Sequence, residues 1–327
     1  MNVLVTGGAG FIGSHLCRLL LSQGHDVLVL DDLSTGCYEN LDGLEDGRRL
    51  RLIVDTVNNA SLVDDCVRQS DCVYHLASAV GVRLIIEQPV RTIESIVGGT
   101  ETVLKACSRY RRPFLLTSTS EVYGKGSKVP FCEDDDCVMG PSSKRRWSYA
   151  SAKALDEFLT LAYWVEVRLP VIVTRLFNTV GPRQTGQYGM VVPNFVRQAL
   201  RGDPLTVYGD GQQSRCFAHV EDVVGALTRL MECPAARGKV INVGNNEEIT
   251  IMGLAERVKH LSGSSSEIQT IPYEEAYGEG FDDMRRRVPC LERAKALVGY
   301  QPVRQLDDIL RDVIAWERRK LEAGSAF

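Results

Sequence analysis

The chain has no apolar run long enough to cross a bilayer, no Cys-x-x-Cys pair, no internal repeat and no excess of positive charge. Each absence removes a class. A helix needs about twenty consecutive apolar residues to span a hydrocarbon core, so no membrane-spanning helix is expected. The ten cysteines, Cys17, Cys37, Cys66, Cys72, Cys107, Cys132, Cys137, Cys216, Cys233 and Cys290, are scattered. With no secretory leader ahead of Val3, that scatter predicts reduced thiols in a cytoplasm, not a disulfide framework or a zinc site, and no metal is expected. A formal net charge of -4 provides no general basic field. Nucleic acid and anionic lipid are therefore not expected partners, and any phosphate site has to be local. What remains, 327 residues of which 44% are hydrophobic and 24% charged, is the composition of a soluble globular protein with roughly two domains' worth of core.

The stretch Tyr149-Ala150-Ser151-Ala152-Lys153 organises the rest. On a helix, four-residue spacing stacks the phenol and the ammonium on one face, where a fixed positive charge favours the phenolate. Such pairs also occur by chance in many helices, so the surroundings have to decide.

Val3-Leu4-Val5-Thr6 reads as a strand, Gly7-Gly8-Ala9-Gly10-Phe11-Ile12-Gly13 as a glycine turn, and 14–22 as an amphipathic helix. Glycines there let the backbone approach a pyrophosphate, and the helix N-terminus offers unpaired N–H groups. Alone, such a turn is only a tight connection. Here a second strand, Val27-Leu28-Val29-Leu30, delivers Asp31 and Asp32 at about the twenty-residue distance that the dinucleotide pattern requires. A carboxylate at that place accepts bonds from ribose hydroxyls and repels a 2′-phosphate, and no arginine follows closely. The expected cofactor is NAD, with Asp31 the ribose ligand.

Further strands are read at Leu50-Arg51-Leu52-Ile53-Val54, Cys72-Val73-Tyr74-His75-Leu76 and Pro113-Phe114-Leu115-Leu116-Thr117, with helices around 60–68 and 90–109. This alternation predicts a parallel sheet with right-handed crossovers and ligands at the carboxyl ends of its strands. Asp55 ends one strand, where it either touches adenine or caps the next helix. His75 reads as a buried structural histidine. Thr117-Ser118-Thr119-Ser120-Glu121 places hydroxyls at a strand end, where they form a turn or donate to a substrate oxygen. Glu121 needs a reason to stand beside an anionic ligand. The cations Lys144, Arg145 and Arg146 either serve that ligand or face solvent.

The glycine turn, Thr119, Tyr149 and Lys153 together resemble the extended short-chain dehydrogenase/reductase family of nucleotide-sugar epimerases, dehydratases and decarboxylases. The resemblance covers essentially the whole chain. It implies a Rossmann-type α/β fold, a doubly wound parallel sheet over 1–175 with a returning segment at about 215–245. A smaller mixed α/β substrate domain would comprise 176–214 and 246–327. It also implies that Thr119, Tyr149 and Lys153 form the catalytic set, with Tyr149 the base and Lys153 also holding the nicotinamide ribose. Gly7, Gly10, Phe11, Ile12, Gly13, Asp31, Asp32, Asp55, Leu76 and Ala77 are the accompanying cofactor residues.

The segments Phe177-Asn178-Thr179-Val180-Gly181-Pro182-Arg183, Val192-Pro193-Asn194-Phe195, Leu205-Thr206-Val207-Tyr208 and Gln213-Ser214-Arg215 resemble the family's sugar-nucleotide site. They imply contacts from Asn178, Asn194, Val207 and Arg215; an arginine fork suits a diphosphate. Three segments resemble the UDP-glucuronate decarboxylase branch: residues 119–124, Arg146-Trp147-Ser148-Tyr149, and Tyr277-Gly278-Glu279-Gly280-Phe281-Asp282-Asp283 leading to Arg287. They imply that Glu121 and Arg287 act at a sugar carboxylate, with Ser120 and Arg146 beside them. Ser120 stands where the apiose-forming enzymes carry cysteine, which argues against ring contraction. Ala77-Ser78-Ala79-Val80-Gly81-Val82-Arg83 looks more like the epimerase and dehydratase branch. The expected function is decarboxylation of UDP-glucuronate, with 4-epimerisation, dTDP-sugar dehydration and a non-catalytic NAD-binding role as alternatives. The expected assembly is a homodimer through helices at 90–109 and 150–165.

Overall fold

The computed structural model describes residues 1–44, 49–78, 88–186, 189–272, 275 and 284–324. The strands are β1 (Asn2–Thr6), β2 (Asp26–Asp31), β3 (Leu50–Val54), β4 (Cys72–His75), β5 (Phe114–Thr119) and β6 (Val171–Leu176), joined by a late strand, Lys239–Val243. They form one sheet in the order Lys239–Val243, β6, β5, β4, β1, β2, β3. Every pairing is parallel. Parallel strands covered on both faces need apolar residues on both, and Val3, Leu4 and Val5 are all buried. Leu16 and Leu20 of helix α1 (Phe11–Ser22) pack with Val223 and Leu227 of the helix Val220–Glu232 on one face. Val63 and Val67 of α2 (Ala60–Arg68) and Val103 of the helix Pro89–Tyr110 cover the other. This is the doubly wound Rossmann-like arrangement expected from the alternation of strand and helix.

A second apolar cluster lies apart from the sheet. It joins Val196 of the helix Val191–Arg201, Leu254 of the helix Ile251–Ser262, Leu310 of the helix Leu306–Glu322, and Leu205 and Val207 of the strand Leu205–Tyr208. No helix among the described residues is long and apolar enough to cross a membrane.

Most strand and helix ends fall within a residue or two of the sequence reading, and two differences bear on the site. β5 runs two residues further, to Thr119, because Ser118 and Thr119 pair with Arg175 and Leu176 of β6. α1 begins at Phe11, three residues earlier, with Gly10 as its cap and no capping side chain. No Ser, Thr, Asp or Asn marks that start, and the first N–H groups remain available to a ligand.

The early start brings Gly13 into the first turn of α1, against the loop. A Cβ on Gly13 would lie 2.1 Å from the Gly7 carbonyl oxygen and 2.7 Å from Gly8 Cα. Both are backbone atoms, so the helix has to move. Gly13→Ala is therefore expected to cost about 1–3 kcal/mol by overpacking and to abolish dinucleotide binding. Thermal melting and calorimetric titration check this; a variant binding as tightly as the parent would refute the close-packing account.

Candidate active site

The chain winds outward from β1 to β3, then crosses back to β4, so a crevice opens at the carboxyl ends of β1 and β4. A cleft of about 1290 Å³ runs from there. Gly7, Gly10, Phe11, Ile12 and Gly13 form its first wall, with Leu76 and Ala77 opposite. Gly7 has φ +72°, and a Cβ on it would lie 2.7 Å from the Ala77 nitrogen. Only glycine fits where the two turns meet.

Asp31 closes this end. Its carboxylate accepts from the backbone N–H groups of Ala9 and Leu33, each at 2.9 Å. Burial pushes its pKa up, and those two hydrogen bonds pull against the rise. Asp32 also lines the cleft, but its oxygen accepts from the Ser34 N–H and hydroxyl at 3.0 and 2.6 Å. Asp55 lines the cleft and does not cap α2, whose cap is Asn59; it accepts from the Thr56 N–H at 2.6 Å and steadies the Asn59 side chain at 2.9 Å. Residues 31–44 contain no lysine or arginine to balance a 2′-phosphate. A glycine cradle that a Cβ would fill, beside a carboxylate steadied by two N–H groups, fits the adenosine end of NAD.

The other end gathers Thr119, Ser120 and Glu121 from the end of β5, Arg146 from the short turn Arg145–Trp147, Tyr149 from the helix Ser148–Val167, and Arg287. Thr119 lies close enough to Tyr149 for its hydroxyl to pull the phenol pKa down. Glu121 sits between two guanidiniums, those of Arg146 and, at 2.5 Å, Arg287. Burial pushes the Glu121 carboxyl up, but the charges of Arg287 and Arg146 outweigh it and hold the pKa down at about 2. Arg287 thus arrives from far along the chain to complete a cluster begun at β5.

Lys153 is buried with a buried partner: its Nζ is 3.1 Å from Asp156 Oδ2. Burial pushes the Tyr149 phenol up, and the negative charges of Glu121 and Asp156 add to this against the Thr119 hydroxyl and Arg146. The sequence reading had the ammonium alone favouring the phenolate. Burial first, and then the adjoining carboxylates, reverse that balance.

Asn178, Asn194 and Arg215 all line the cleft beyond Tyr149. Asn178 adopts φ +21° and donates from Nδ2 to the Cys216 carbonyl at 3.0 Å. Val207 is a correction: its side chain is fully buried in the second apolar cluster, and its neighbours Thr206 and Tyr208 face the cleft instead. Period-two alternation in Leu205-Thr206-Val207-Tyr208 carried that signal, since apolar residues take the core side. Asp156 was also missed, because spacing along a helix does not reveal burial. The motif parts at 79–83 and 277–283 lie outside the described residues. No group of three or more metal-ligating side chains occurs among the described residues.

Because its pKa is lowered, Glu121 contributes stability that is complete above its ordinary value of 4.5 and lost as pH falls toward about 2. The contribution is about 3 kcal/mol. Glu121→Gln removes it, so the urea midpoints of parent and variant should differ most above pH 5 and converge on acidification. A constant difference would contradict the cluster's charge balance.

Residues 3–244 match the model of the NAD dependent epimerase/dehydratase family. The chain is 40% identical over 319 residues to UDP-N-acetyl-alpha-D-glucosaminuronate decarboxylase of Bacillus cytotoxicus, covering 96% of this chain and 97% of that protein. It is 38% identical over 321 residues to UDP-glucuronic acid decarboxylase 1 of Danio rerio, covering 98% and 73%. Among solved structures, it resembles UDP-glucuronic acid 4-epimerase from Bacillus cereus in complex with UDP-glucuronic acid and NAD, at TM-score 0.88 and 27% identity, covering 98% and 99%. The glycine-lined crevice, the Thr119–Tyr149 pair and these matches agree: the chain belongs to the NAD dependent epimerase/dehydratase family.

Proposed function

We propose that the protein is an NAD-dependent decarboxylase of a UDP-hexuronate, with UDP-glucuronate the favoured substrate. The observation that carries this reading is Glu121 held between Arg146 and Arg287, beside Thr119 and Tyr149. Both guanidiniums line the cleft, and an arginine fork matches the geometry of a carboxylate, so the cluster can also orient a substrate carboxylate. The decarboxylase names of the two curated relatives support it.

NAD in the crevice would accept hydride from sugar C4 and return it. Tyr149 has to be the phenolate to take the C4 hydroxyl proton, so on this reading bound cofactor and substrate bring down a pKa that burial raises. The resulting ketone is β to the C6 carboxylate, so the C–C bond can break with its electron pair delocalised onto the C4 oxygen. Thr119 and Tyr149 stabilise that enolate oxygen, while Arg287 and Arg146 aim the carboxylate. Glu121, held at a pKa of about 2, is ionised at neutral pH. It therefore acts by positioning the two arginines and is no direct source of the C5 proton. C5 of the enolate takes a proton from water; hydride return to C4, with the Tyr149 proton going back to the C4 oxygen, then yields UDP-xylose, while release before hydride return yields the 4-keto sugar and NADH. Arg215, Asn178 and Asn194 are assigned to the diphosphate and nucleoside, Ser120 to the sugar, and Lys153 to the nicotinamide ribose. Residues 1–175 with 215–245 form the cofactor part of this reading, and 176–214 with 246–327 the substrate part.

A second reading, 4-epimerisation, is favoured by the Bacillus cereus neighbour. It needs Thr119, Tyr149 and Lys153 but no carboxylate-directed arginine. Under a homodimeric reading, Val90 and Ile93 on the helix Pro89–Tyr110 and Leu155, Phe158 and Val165 on the helix Ser148–Val167, all exposed, form the apolar contact. A reducing, cytoplasmic setting fits ten cysteines that are all free.

Incubation with UDP-glucuronate and, separately, its 2-acetamido analogue should release carbon dioxide; no release from either removes the decarboxylase reading. Arg287→Ala should abolish release, whereas an epimerase would keep most of its turnover. Phe158→Glu, which puts a charge on a 72% exposed apolar side chain, should halve the mass seen by light scattering; an unchanged mass refutes that interface.

A further inference from the structure

Beneath Tyr149, a row of hydrogen bonds crosses from the glycine turn to Lys153. Asp156 Oδ2 accepts from Thr100 Oγ1 at 2.8 Å and lies 3.1 Å from Lys153 Nζ. The Thr100 hydroxyl has one proton, given to the carboxylate, so Thr100 Oγ1 must accept from His75 Nε2, 3.2 Å away. That assigns the His75 proton to Nε2 and makes Nδ1 the acceptor of the Thr6 hydroxyl at 2.8 Å. Thr6 Oγ1 in turn accepts from the Ala77 N–H at 3.3 Å. Burial pushes the Asp156 carboxyl up, and the Lys153 charge and the Thr100 hydrogen bond pull against the rise; all four donors point toward Asp156, an arrangement in which successive bonds polarise one another and favour a carboxylate at the end.

We propose that Asp156 is a positioning residue for the redox site: it supplies the counter-charge that keeps the buried Lys153 ammonium protonated beneath the nicotinamide end of the cleft, and the Ala77–Thr6–His75–Thr100 row keeps Asp156 ionised. The inference rests on Tyr149 and Lys153 being the redox pair of the proposed function. Lys153 is 2% exposed and Asp156 0%, so water cannot take over the carboxylate's role. An ammonium in such surroundings, with no anion touching it, sheds its proton readily.

The other charged groups facing the pair are accounted for. From β4, His75 is neutral, because burial lowers its pKa to about 3. On the same helix, Glu157 is 2.7 Å from Arg175 of β6, and burial keeps the Tyr149 phenol pushed up and therefore uncharged. At the end of β5, Glu121 is held by Arg146 and Arg287. From the helix Pro89–Tyr110 comes Thr100, which carries no charge. Asp156 is thus the anion in contact with Lys153 among the described residues.

Asp156→Asn keeps the shape and the acceptor for Thr100 but removes the charge. Its kcat/KM should gain an alkaline limb between roughly pH 7 and 9, falling about tenfold below the parent at the upper end. Its Kd for NAD, measured by calorimetry without substrate, should weaken over the same range. Asp156→Glu, restoring the charge, should remove the limb. A loss equal at every pH, with NAD binding as pH-independent as the parent's, overturns the proposal. Should Asp156→Asn not fold, Lys153→Met/Asp156→Asn, which buries neither charge, should recover the Tm of Lys153→Met; failure to recover it overturns the proposal. If the parent turns over no UDP-hexuronate, the functional reading fails, while the calorimetric arm still decides the role of Asp156.

Discussion

Charge taken out of water has to be paired, and the end of β5 with the helix Ser148–Val167 is built from such pairs. Glu121 meets Arg146 and Arg287, Lys153 meets Asp156, and Glu157 meets Arg175. Replacing a buried pair with apolar groups is often harmless, but removing one partner costs roughly 3–5 kcal/mol. These pairs are therefore weak evidence for stability and strong evidence for fixed positions. Ser118 Oγ donates to Glu157 at 2.5 Å, and the Arg175 guanidinium also lies 4.6 Å from the Tyr123 ring. Tyr123 donates to Asn242 at 2.8 Å, which ties the late strand Lys239–Val243 to the turn after β5. Thr119, next to Ser118, thereby meets Tyr149 from a backbone held on both sides.

The sheet carries these positions to the cofactor end. β5 pairs with β4, and β4 with β1, in a register that sets Leu116 beside His75 and His75 beside Thr6. Gly7 follows Thr6 directly, and Ala77 follows His75 by two residues. The glycine turn and the Lys153–Asp156 pair are thus joined by a few strand residues and one row of hydrogen bonds. A histidine inside an apolar strand would otherwise cost desolvation; here both ring nitrogens have partners.

Much of this was legible in the residues, for identifiable reasons. The glycine turn announces itself because a left-handed φ at Gly7 and a close approach at Gly13 exclude other side chains. Leu50–Val54 and Ala60–Arg68 match their sequence boundaries because clear apolar periodicity ends at strong turn signals. The start of α1 was misplaced because its cap is a glycine with no side-chain signal. Val207 was misassigned because motif likeness was preferred to strand alternation. Arg287 reaching Glu121 across 166 positions was suggested only by family resemblance; no local pattern encodes it. Asp156 was visible as a residue but not as a partner, since burial and the facing Thr100 belong to tertiary structure.

On the proposed reaction, the sugar carboxylate arrives charged and departs as neutral carbon dioxide, so tight binding of that charge opposes the step it is meant to assist. Arginines dedicated wholly to the substrate would stabilise the ground state most. Here both guanidiniums are shared with Glu121, an anion kept ionised by them. The substrate carboxylate can be aimed by the two forks while part of their charge is already spent on a fixed group. The same Glu121 charge raises the Tyr149 phenol, which favours the protonated form once the C4 oxygen has given up its proton. One carboxylate thus weakens the hold on the departing group and strengthens the proton's hold on the base, two effects that both run toward the β-keto acid and its loss of carbon dioxide.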